Sequence, residues 1–570
     1  MNVEALKRAE TPAMARGRSD ADASQCALGL ISVTALYACL SWVTTPNYWG
    51  DSVYYIGQSV HPDSTFWDFG HLLWRPLLWV CTQLSILTFG AGAQWKGAVL
   101  SAIAINWVAG LVCALAGFLI VTSFVPPLWA RLLAVSGMLV AQGLLVYSQT
   151  TTSYIPGLAC VFASLALLLS PGEHARLDWR TVGAGLLLAT GILFWFPYVL
   201  AAPAVVLSPL ILFPVTRTRL HSSLGVALAC GCLLALGYGT VAMHLHMNSV
   251  RDMATWAAAS SHGIVRGGIP RAVFGFANSW IDLGQFGLLV KRYLVHDPLN
   301  TVSLGDLIKA TLWRAVLFYV VVTAISLAVL VNRNSRRIGI FFLITATPVV
   351  LFAMFWTGAE MERYLALYPA LVLMIATSLS NGDSSSQLPT RAGFLLLLLA
   401  TLAVNVHSNW RSIVHERWDR QAKRISTLMK QSGAGDFFVL PGDSVAQVRE
   451  VRPYETPDTW RDVHIFKVAA TGTVRTPKWR GILANQLLTG WVSGRTIYFS
   501  KDLIAAQPNP QSEWVEGEDK AVSWAGLRSV TGQFDLGPCY GGPDGFCVVS
   551  PSDHNKQVAA SILSAEPGHP

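Results

Sequence analysis

Three carboxylates, Asp51, Asp63 and Asp68, and eight aromatic side chains share one short polar stretch, residues 47–76, directly after an apolar run. Asp51 and Asp68 are the candidates for chemistry, because a carboxylate can act as a general base, bind a metal ion, or do both. Charged groups this close to a bilayer are costly unless they face water, a substrate or one another. The pattern predicts half of an active site at the membrane surface. The alternative role for each acid is a helix cap or a solvated loop.

Further ionisable side chains stand next to apolar runs. His71 and Arg75 occur where the chain is expected to re-enter the membrane, and Arg363 lies at the expected outer end of a later span. An arginine at an outer interface is suited to bind a phosphate through two of its nitrogens. The alternative role for Arg363 is to reach toward lipid headgroups with its long side chain.

Composition indicates which elements must position these side chains. The chain has 570 residues, of which 52% are hydrophobic and only 13% are charged, whereas an ordinary globular chain is about a quarter charged. Roughly half of the charged residues come after Ser408. The sequence therefore predicts a polytopic α-helical membrane protein with a small C-terminal α/β domain. The net charge of +8 does not indicate a nucleic-acid partner, since much of the basic excess lies in short loops between apolar runs.

The apolar runs are each near the roughly 20 residues that a membrane span requires. The first is Ala27–Val43, and later runs begin near Leu72, Gly97, Arg131, Ile155, Thr181, Val199, Ser222, Leu312, Ile338, Tyr364 and Gly393. The basic loop at residues 332–337 is predicted to lie inside, and counting forward from it places the chain after Ser408 outside. We therefore predict an odd total of 11 or 13 spans. Either one early run is broken or re-entrant, or residues 272–290 form an extra span.

Domain boundaries follow from this count. We predict a cytoplasmic tail at residues 1–26, a membrane domain at 27–407 with outer loops at 46–71 and 244–311, and an extracytoplasmic α/β domain at 408–570. Within the last domain we predict a helix at 409–431 and strands at 437–440, 496–500 and 546–550. Cys539 and Cys547 flank a glycine-rich turn there, and a disulfide between them would require an oxidising compartment.

The spacing of these motifs resembles that of the GT-C glycosyltransferases, in particular the branch with protein O-mannosyltransferases and the aminoarabinose transferases of lipid A. An acidic first outer loop, a His and a Pro before the second span, and a late Glu-Arg-Tyr-Leu-x-x-Tyr-Pro run carry the resemblance, which covers about residues 27–407. The matching residues are Asp51, Tyr54, Tyr55, Gly70, His71, Pro76, Glu362, Arg363, Tyr364, Leu365 and Pro369. The chain departs from that branch where Ser52 follows Asp51 in place of a second acid.

The resemblance implies a glycosyltransferase in the cytoplasmic (inner) membrane. It would transfer a sugar from a polyprenyl-phosphate donor to an envelope glycan, lipid or protein on the outer face, with inversion. We predict Asp51 as the catalytic carboxylate and Asp68 as a supporting acid that orients His71. The residues assigned to the donor phosphate are His71, Arg75, Glu362, Arg363 and Tyr364, and those assigned to sugar stacking are Tyr54 and Tyr55. No cofactor is implied with certainty, and a divalent metal stays open.

Two other classes of protein share part of this pattern. An O-antigen polymerase or ligase typically has its large soluble part between spans, whereas here that part follows the last span. A lipid or glycan transporter without covalent chemistry often has paired halves and polar residues at the midplane. The acids here stand at the outer edge, which favours an enzyme over a transporter.

Overall fold

The structure is a computed structural model. It describes residues 20–46, 51–63, 66–90, 94–170, 178–260, 268–380, 388–431, 436–440, 464–467, 479–508, 514–517, 523–542 and 545–565. Most of the predicted N-terminal tail, residues 47–50 and 64–65 of the first outer loop, and residues 543–544 of the glycine-rich turn lie outside these ranges.

Helices dominate the described part of the chain. In order they are α1 Asp20–Val43, α2 Ser52–Val60, α3 Trp74–Phe89, α4 Gln94–Thr122, α5 Leu128–Leu139, α6 Gln142–Tyr147, α7 Tyr154–Leu169, α8 Trp179–Phe194, α9 Ala202–Ile211, α10 Arg217–His244, α11 Val250–Ala259, α12 Ile269–Trp280, α13 Phe286–Val295, α14 Leu304–Leu307, α15 Trp313–Val331, α16 Arg336–Phe355, α17 Tyr368–Ser380, α18 Leu388–Ser408, α19 Arg411–Gln431, α20 Trp479–Val492, α21 Trp524–Thr531 and α22 Asp553–Ser564. Shorter 3-10 helices lie at Phe69–His71, Phe196–Leu200 and Met361–Leu367, and a π-helical turn, Ile308–Leu312, joins α14 to α15.

The predicted class, a polytopic helical membrane protein, is confirmed. Seven helices in the described ranges are long and apolar enough to cross a bilayer: Ala23–Val43, Gln94–Thr122, Arg217–His244, Leu304–Val331, Arg336–Phe355, Met361–Ser380 and Pro389–Ser408. Four shorter apolar helices accompany them, at Leu128–Leu139, Tyr154–Leu169, Trp179–Phe194 and Phe196–Ile211. The total of 11 or 13 spans stays a prediction.

The apolar run predicted to begin near Arg131 is broken into α5 and α6. The side-chain amide of Asn405, in α18, donates hydrogen bonds at the break to the carbonyl oxygens of Val140, at 2.7 Å, and Trp280, at 2.9 Å. Irregular backbone is tolerated at membrane depth where neighbouring protein groups satisfy it. The break brings the end of α6 and the start of α7 to the region of the first outer loop.

The predicted outer loop 244–311 contains the helices α11, α12 and α13. The suggestion of one extra span over residues 272–290 is wrong, because the chain turns between α12 and α13, where Gly284 has a φ of +61°. The 12 residues of α12 form a helix of about 18 Å, which is shorter than the roughly 30 Å of the hydrocarbon core. Ala272, Ala277 and Trp280 on α12 are buried in the main hydrophobic core.

The C-terminal part contains the predicted small α/β domain. Its five-stranded sheet has the order β2-β1-β3-β5-β4, with β1 parallel to β2 and β3, and β5 antiparallel to β3 and β4. The strands are β1 Phe437–Leu440, β2 His464–Lys467, β3 Ile497–Ser500, β4 Cys539–Tyr540 and β5 Phe546–Val549. All three predicted strands are present to within one residue at each end. Cys539 and Cys547 are directly opposite in β4 and β5 and form a disulfide, with their Cα atoms 4.0 Å apart.

Candidate active site

Asp51 stands at the N-terminus of α2 but does not cap it. Its side chain makes no capping hydrogen bond, so the helix-cap alternative is wrong for this residue. Its Oδ2 atom instead accepts a hydrogen bond from the hydroxyl of Tyr154, at 3.4 Å, across 103 positions of sequence. Asp51 is exposed. The carboxylate is therefore held at the surface by a side chain of the membrane bundle.

Asp68 forms a buried ion pair with Arg75. The Arg75 Nη2 atom lies 3.3 Å from Asp68 Oδ2, and the two side chains are only 1% and 7% exposed. Asp68 thus holds Arg75, and its role of orienting His71 stays a prediction. Arg75 is enclosed together with its counter-ion, so its predicted contact with a donor phosphate does not fit this arrangement. Removing one partner of such a pair leaves an uncompensated buried charge.

His71 is buried between two hydroxyl groups. Its Nε2 atom lies 2.8 Å from the Tyr55 hydroxyl, and its Nδ1 atom lies 2.7 Å from Ser153 Oγ. Burial, and then the charges of Asp51 and Asp68, raise the pKa of Tyr55 well above its usual range. Tyr55 therefore stays protonated and remains a hydrogen-bond donor at neutral pH. Because both imidazole nitrogens are engaged, His71 links the first loop to the start of α7, and its predicted contact with phosphate does not fit.

The two tyrosines predicted to stack on the sugar differ in exposure. Tyr54 is 37% exposed, whereas Tyr55 is 1% exposed. Both rings lie against the Arg75 guanidinium. Because the Tyr55 ring is enclosed, its predicted stacking on the sugar does not fit this arrangement. Tyr54, whose ring centre lies 5.0 Å from the guanidinium carbon of Arg75, keeps an accessible ring.

Arg363 lies in the 3-10 helix Met361–Leu367, at the end of α16. Its Nη2 atom donates to Glu360 Oε2 at 3.1 Å, and its Nε atom donates to Thr357 Oγ1 at 3.1 Å. Thr357 has a φ of +41°, a left-handed conformation that is uncommon for a non-glycine residue and that occurs most often at functional sites. The Arg363 side chain is 15% exposed, and Glu360 is 42% exposed. The partner that Arg363 holds on its outer side is therefore the more exposed member of the pair.

The residues on either side of Arg363 are buried. Glu362 accepts a hydrogen bond from the Tyr147 hydroxyl at 2.7 Å and lies 3.8 Å from Arg363 Nε. Glu362 is therefore positioned beside Arg363 by the Tyr147 hydroxyl. The Tyr364 hydroxyl lies 2.8 Å from the carbonyl oxygen of Ala272 and 2.7 Å from that of Gly358. Tyr364 thus joins α12 to the turn before Arg363. The contacts of Glu362 and Tyr364 with a donor phosphate stay predictions.

Three aromatic rings connect the first loop to Arg363. The ring centre of Tyr154 lies 5.0 Å from that of Tyr147 and 4.9 Å from that of Trp195. The guanidinium carbon of Arg363 lies 5.6 Å from the Trp195 ring centre. Asp51 and Arg363, which the sequence places far apart, therefore contact one aromatic cluster of Tyr147, Tyr154 and Trp195.

Sequence reasoning missed the polar turn between α6 and α7. All six residues of this turn, 148–153, are buried. The carbonyl oxygen of Thr151 accepts from Trp74 Nε1 at 3.1 Å, and that of Thr152 accepts from Asn106 Nδ2 at 2.8 Å. A run of six Ser, Thr and Gln residues between two apolar helices was the available signal, since polar groups within a membrane domain are costly and usually functional.

An apolar groove lies between α4, α7 and α8. It has a volume of about 500 Å³ and is lined by apolar side chains of these helices, among them Val112, Pro156, Ala163 and Phe194. From Pro156 to Ala163 the groove follows α7 for about 10 Å. Tyr154 and Trp195, which are close to Pro156 and Phe194 in sequence, are not among its described lining residues.

Known proteins were compared with the chain as a whole. No family model and no curated protein matches the sequence, but several solved structures match the fold. The oligosaccharyltransferase AglB from Archaeoglobus fulgidus, in complex with an inhibitory peptide and a dolichol-phosphate, is 12% identical over 92% of this chain and 74% of its own, with a TM-score of 0.43. ArnT from Cupriavidus metallidurans, bound to undecaprenyl phosphate, is 13% identical over 93% and 98%, with a TM-score of 0.47. The arabinofuranosyltransferase AftD from Mycobacteria is 12% identical over 95% and 40%, with a TM-score of 0.42.

The chain is similar to GT-C glycosyltransferases. Identities of 12–13% and TM-scores below 0.5 assign no residue and no substrate, so the proposals below depend on the geometry of the site. A further structure of the Archaeoglobus enzyme is a complex with Zn and sulfate. Among the residues that the structure describes here, no three His, Cys, Asp or Glu side chains are grouped to hold a metal ion.

Proposed function

We propose that this protein transfers a sugar from a polyprenyl-phosphate donor to a hydroxyl group of an envelope acceptor, on the outer face of the membrane and with inversion. The observation that carries the proposal is that Asp51 and Arg363 contact the same aromatic cluster. Sugar transfer from a lipid phosphate needs a group that accepts the proton of the hydroxyl and a cation that stabilises the phosphate as it leaves. The first loop supplies the carboxylate, and the end of α16 supplies the guanidinium.

In this reaction the acceptor oxygen attacks the anomeric carbon as the bond from that carbon to the phosphate oxygen breaks. Asp51 takes the proton of the attacking hydroxyl. The electron pair of the broken bond leaves on the phosphate, whose negative charge is stabilised by Arg363 in exchange for Glu360. Because a phosphate leaves readily, no strong general acid is required. Attack from the face opposite the leaving group inverts the anomeric configuration, and the accessible ring of Tyr54 offers a stacking surface for the sugar.

The apolar groove supports a lipid-linked donor. Its lining is apolar and is formed in part by α7, which begins at Tyr154, and by α8, which ends just before Trp195. In this proposal the isoprene units of a donor whose phosphate is bound at Arg363 pack in the groove. Burial of each CH₂ group from water contributes about 0.8 kcal/mol, so even a few units would add substantially to donor binding.

The proposed function is tested with membranes that contain or lack this protein. A radiolabelled polyprenyl-phosphate sugar is added, and the label is followed from the organic phase into glycan, lipid and protein fractions. We expect the label to leave the polyprenyl lipid only when the protein is present. Label that crosses the membrane but stays on the polyprenyl lipid would instead identify a transporter.

The proposed outer location of the C-terminal domain is tested by thiol labelling in intact cells. Its support is the disulfide between Cys539 and Cys547, a bond typical of oxidising compartments. The seven free cysteines are first replaced by serine, and Ser564→Cys then places one exposed thiol at the end of α22. We expect a reagent that does not cross membranes to label this thiol in intact cells. Asn334→Cys, in the predicted inner loop, is the matched control and should label only after permeabilisation. The opposite pattern would contradict the topology.

A further inference from the structure

We infer that Tyr154 is a positioning residue, which holds the Asp51 carboxylate and the Trp195–Arg363 pair in a fixed relation across the site. Tyr154 acts through the proposed base and through Trp195, and the proposal gives it no contact of its own with the sugar or the phosphate. The inference rests on the proposed function. It adds the residue that connects the first loop, which carries Asp51, to the end of α16, which carries Arg363. It concerns a residue at the start of α7, outside both motifs that indicate the enzyme class.

The position of Tyr154 is determined from several sides. Its own carbonyl oxygen accepts a hydrogen bond from the Tyr198 hydroxyl at 2.7 Å. The neighbouring Ser153 hydroxyl bonds to His71 at 2.7 Å, which ties the same turn to the first loop. The Tyr154 side chain is buried and packs edge-on against Tyr147. These contacts restrict the motion of the Tyr154 ring. Asp51 and the Trp195–Arg363 pair, which both contact it, are therefore held in place relative to each other.

The hydroxyl of Tyr154 acts on Asp51. A hydrogen bond donated to a carboxylate favours its ionised form, which is the form that can take a proton. The same bond fixes the direction of the carboxylate on an exposed loop residue. Asp51 interacts electrostatically with Tyr55 and with Tyr154. Tyr55 in turn faces Asp68 and Arg75, and Tyr154 faces Glu362 and Tyr147. The Tyr154 hydroxyl contacts the Asp51 carboxylate across the site.

The ring of Tyr154 acts on Arg363 through Trp195. The two rings lie 4.9 Å apart at 59°, and Trp195 in turn lies 5.6 Å from the Arg363 guanidinium. A cation beside an indole face is attracted to it and keeps its orientation. The hydroxyl and the ring of Tyr154 thus act on different residues, and substitutions can remove one without the other. Loss of the hydroxyl should affect proton transfer, and loss of the ring should also affect donor binding.

The test uses two substitutions in the full-length protein. For Tyr154→Phe we expect kcat to fall about tenfold to a hundredfold, the effect of losing a hydrogen bond to a charged group. Without the hydrogen bond, the Asp51 carboxylate takes up a proton more readily. The fall of kcat/KM on the acid side of the pH profile should therefore occur at higher pH, and the donor KM should stay unchanged. Tyr154→Leu should show the same shift and in addition weaken the binding of undecaprenyl phosphate about fivefold to tenfold, as expected for the loss of one aromatic contact.

Tyr37→Phe is the matched control. Tyr37 is a buried tyrosine of α1 whose hydroxyl donates to the carbonyl oxygen of Trp107 at 2.7 Å, and it is not part of the site. Tyr37→Phe should leave both the pH profile of kcat/KM and the affinity for undecaprenyl phosphate unchanged. A Tyr154→Phe enzyme with the wild-type kcat and pH profile would overturn the inference, as would an equal change in Tyr37→Phe. Failure of the wild-type protein to transfer sugar from any polyprenyl donor would instead overturn the proposed function.

Discussion

Replacing Asp51 with asparagine is expected to abolish sugar transfer while the protein still inserts and still binds undecaprenyl phosphate. Asparagine has nearly the same shape, and its carbonyl oxygen can still accept the hydrogen bond from Tyr154, but it cannot take a proton from the acceptor hydroxyl. Loss of a general base typically costs about 10²–10⁴-fold in rate. The measurement is release of label from a radiolabelled polyprenyl-phosphate sugar, with binding of undecaprenyl phosphate measured on the same preparation.

Asp68→Asn is the comparison for Asp51→Asn, because the two acids belong to the same loop and differ in their surroundings. Asp68 is buried against Arg75, so its loss leaves the guanidinium without a counter-ion and should destabilise the fold by about 3–5 kcal/mol. We expect a lower unfolding temperature, with measurable activity in the folded fraction. A stable but inactive Asp68→Asn protein beside an active Asp51→Asn protein would exchange the two roles. Near-normal rates in both would show that the first loop is not an active site.

Helices and strands can be predicted from the sequence where a single property, such as the length of an apolar run, determines them. A span needs about 20 apolar residues, so the positions of the long helices follow from hydropathy alone. The sequence predicts the four-residue apolar strand β1 to the residue, since a run of four apolar residues between glycines and a Pro-Gly pair is too short for a helix. The disulfide between Cys539 and Cys547 was named as a possibility, and the β4–β5 register that places the two residues opposite each other appears only in the folded sheet.

The contacts within the site were not predictable in the same way. Asp68 was assigned to His71 because the two are close in sequence, yet the guanidinium of Arg75, seven residues away, takes the carboxylate in the buried state. His71 forms a hydrogen bond with Ser153, which is 82 positions away in the sequence. A single sequence carries no record of such pairings, because they depend on how the broken segment after α5 folds back. Which of the adjacent Tyr54 and Tyr55 stays accessible depends on packing in the same way, since Tyr55 is buried and Tyr54 is exposed.

Arg363→Lys is expected to raise the donor KM about tenfold, and Arg363→Ala to lower kcat/KM by about 10²–10³, the usual cost of removing one group that stabilises developing negative charge. Lysine keeps the charge but loses the planar fork that binds two phosphate oxygens at once. It also loses the planar cation that lies 5.6 Å from the Trp195 ring centre. The measurement is initial rate against donor concentration for each variant, at fixed acceptor.

Arg391→Lys separates phosphate binding from a merely structural loss. Arg391 also lies 5.6 Å from a tryptophan ring centre, that of Trp129, and it belongs to neither half of the site. If Arg363 mattered only as an arginine packed on a tryptophan, or as an anchor at the lipid interface, both lysine variants would lower thermal stability alike and leave the donor KM unchanged. We expect the KM to rise in Arg363→Lys alone, because only that guanidinium can exchange the exposed Glu360 carboxylate for the phosphate of a lipid-linked sugar.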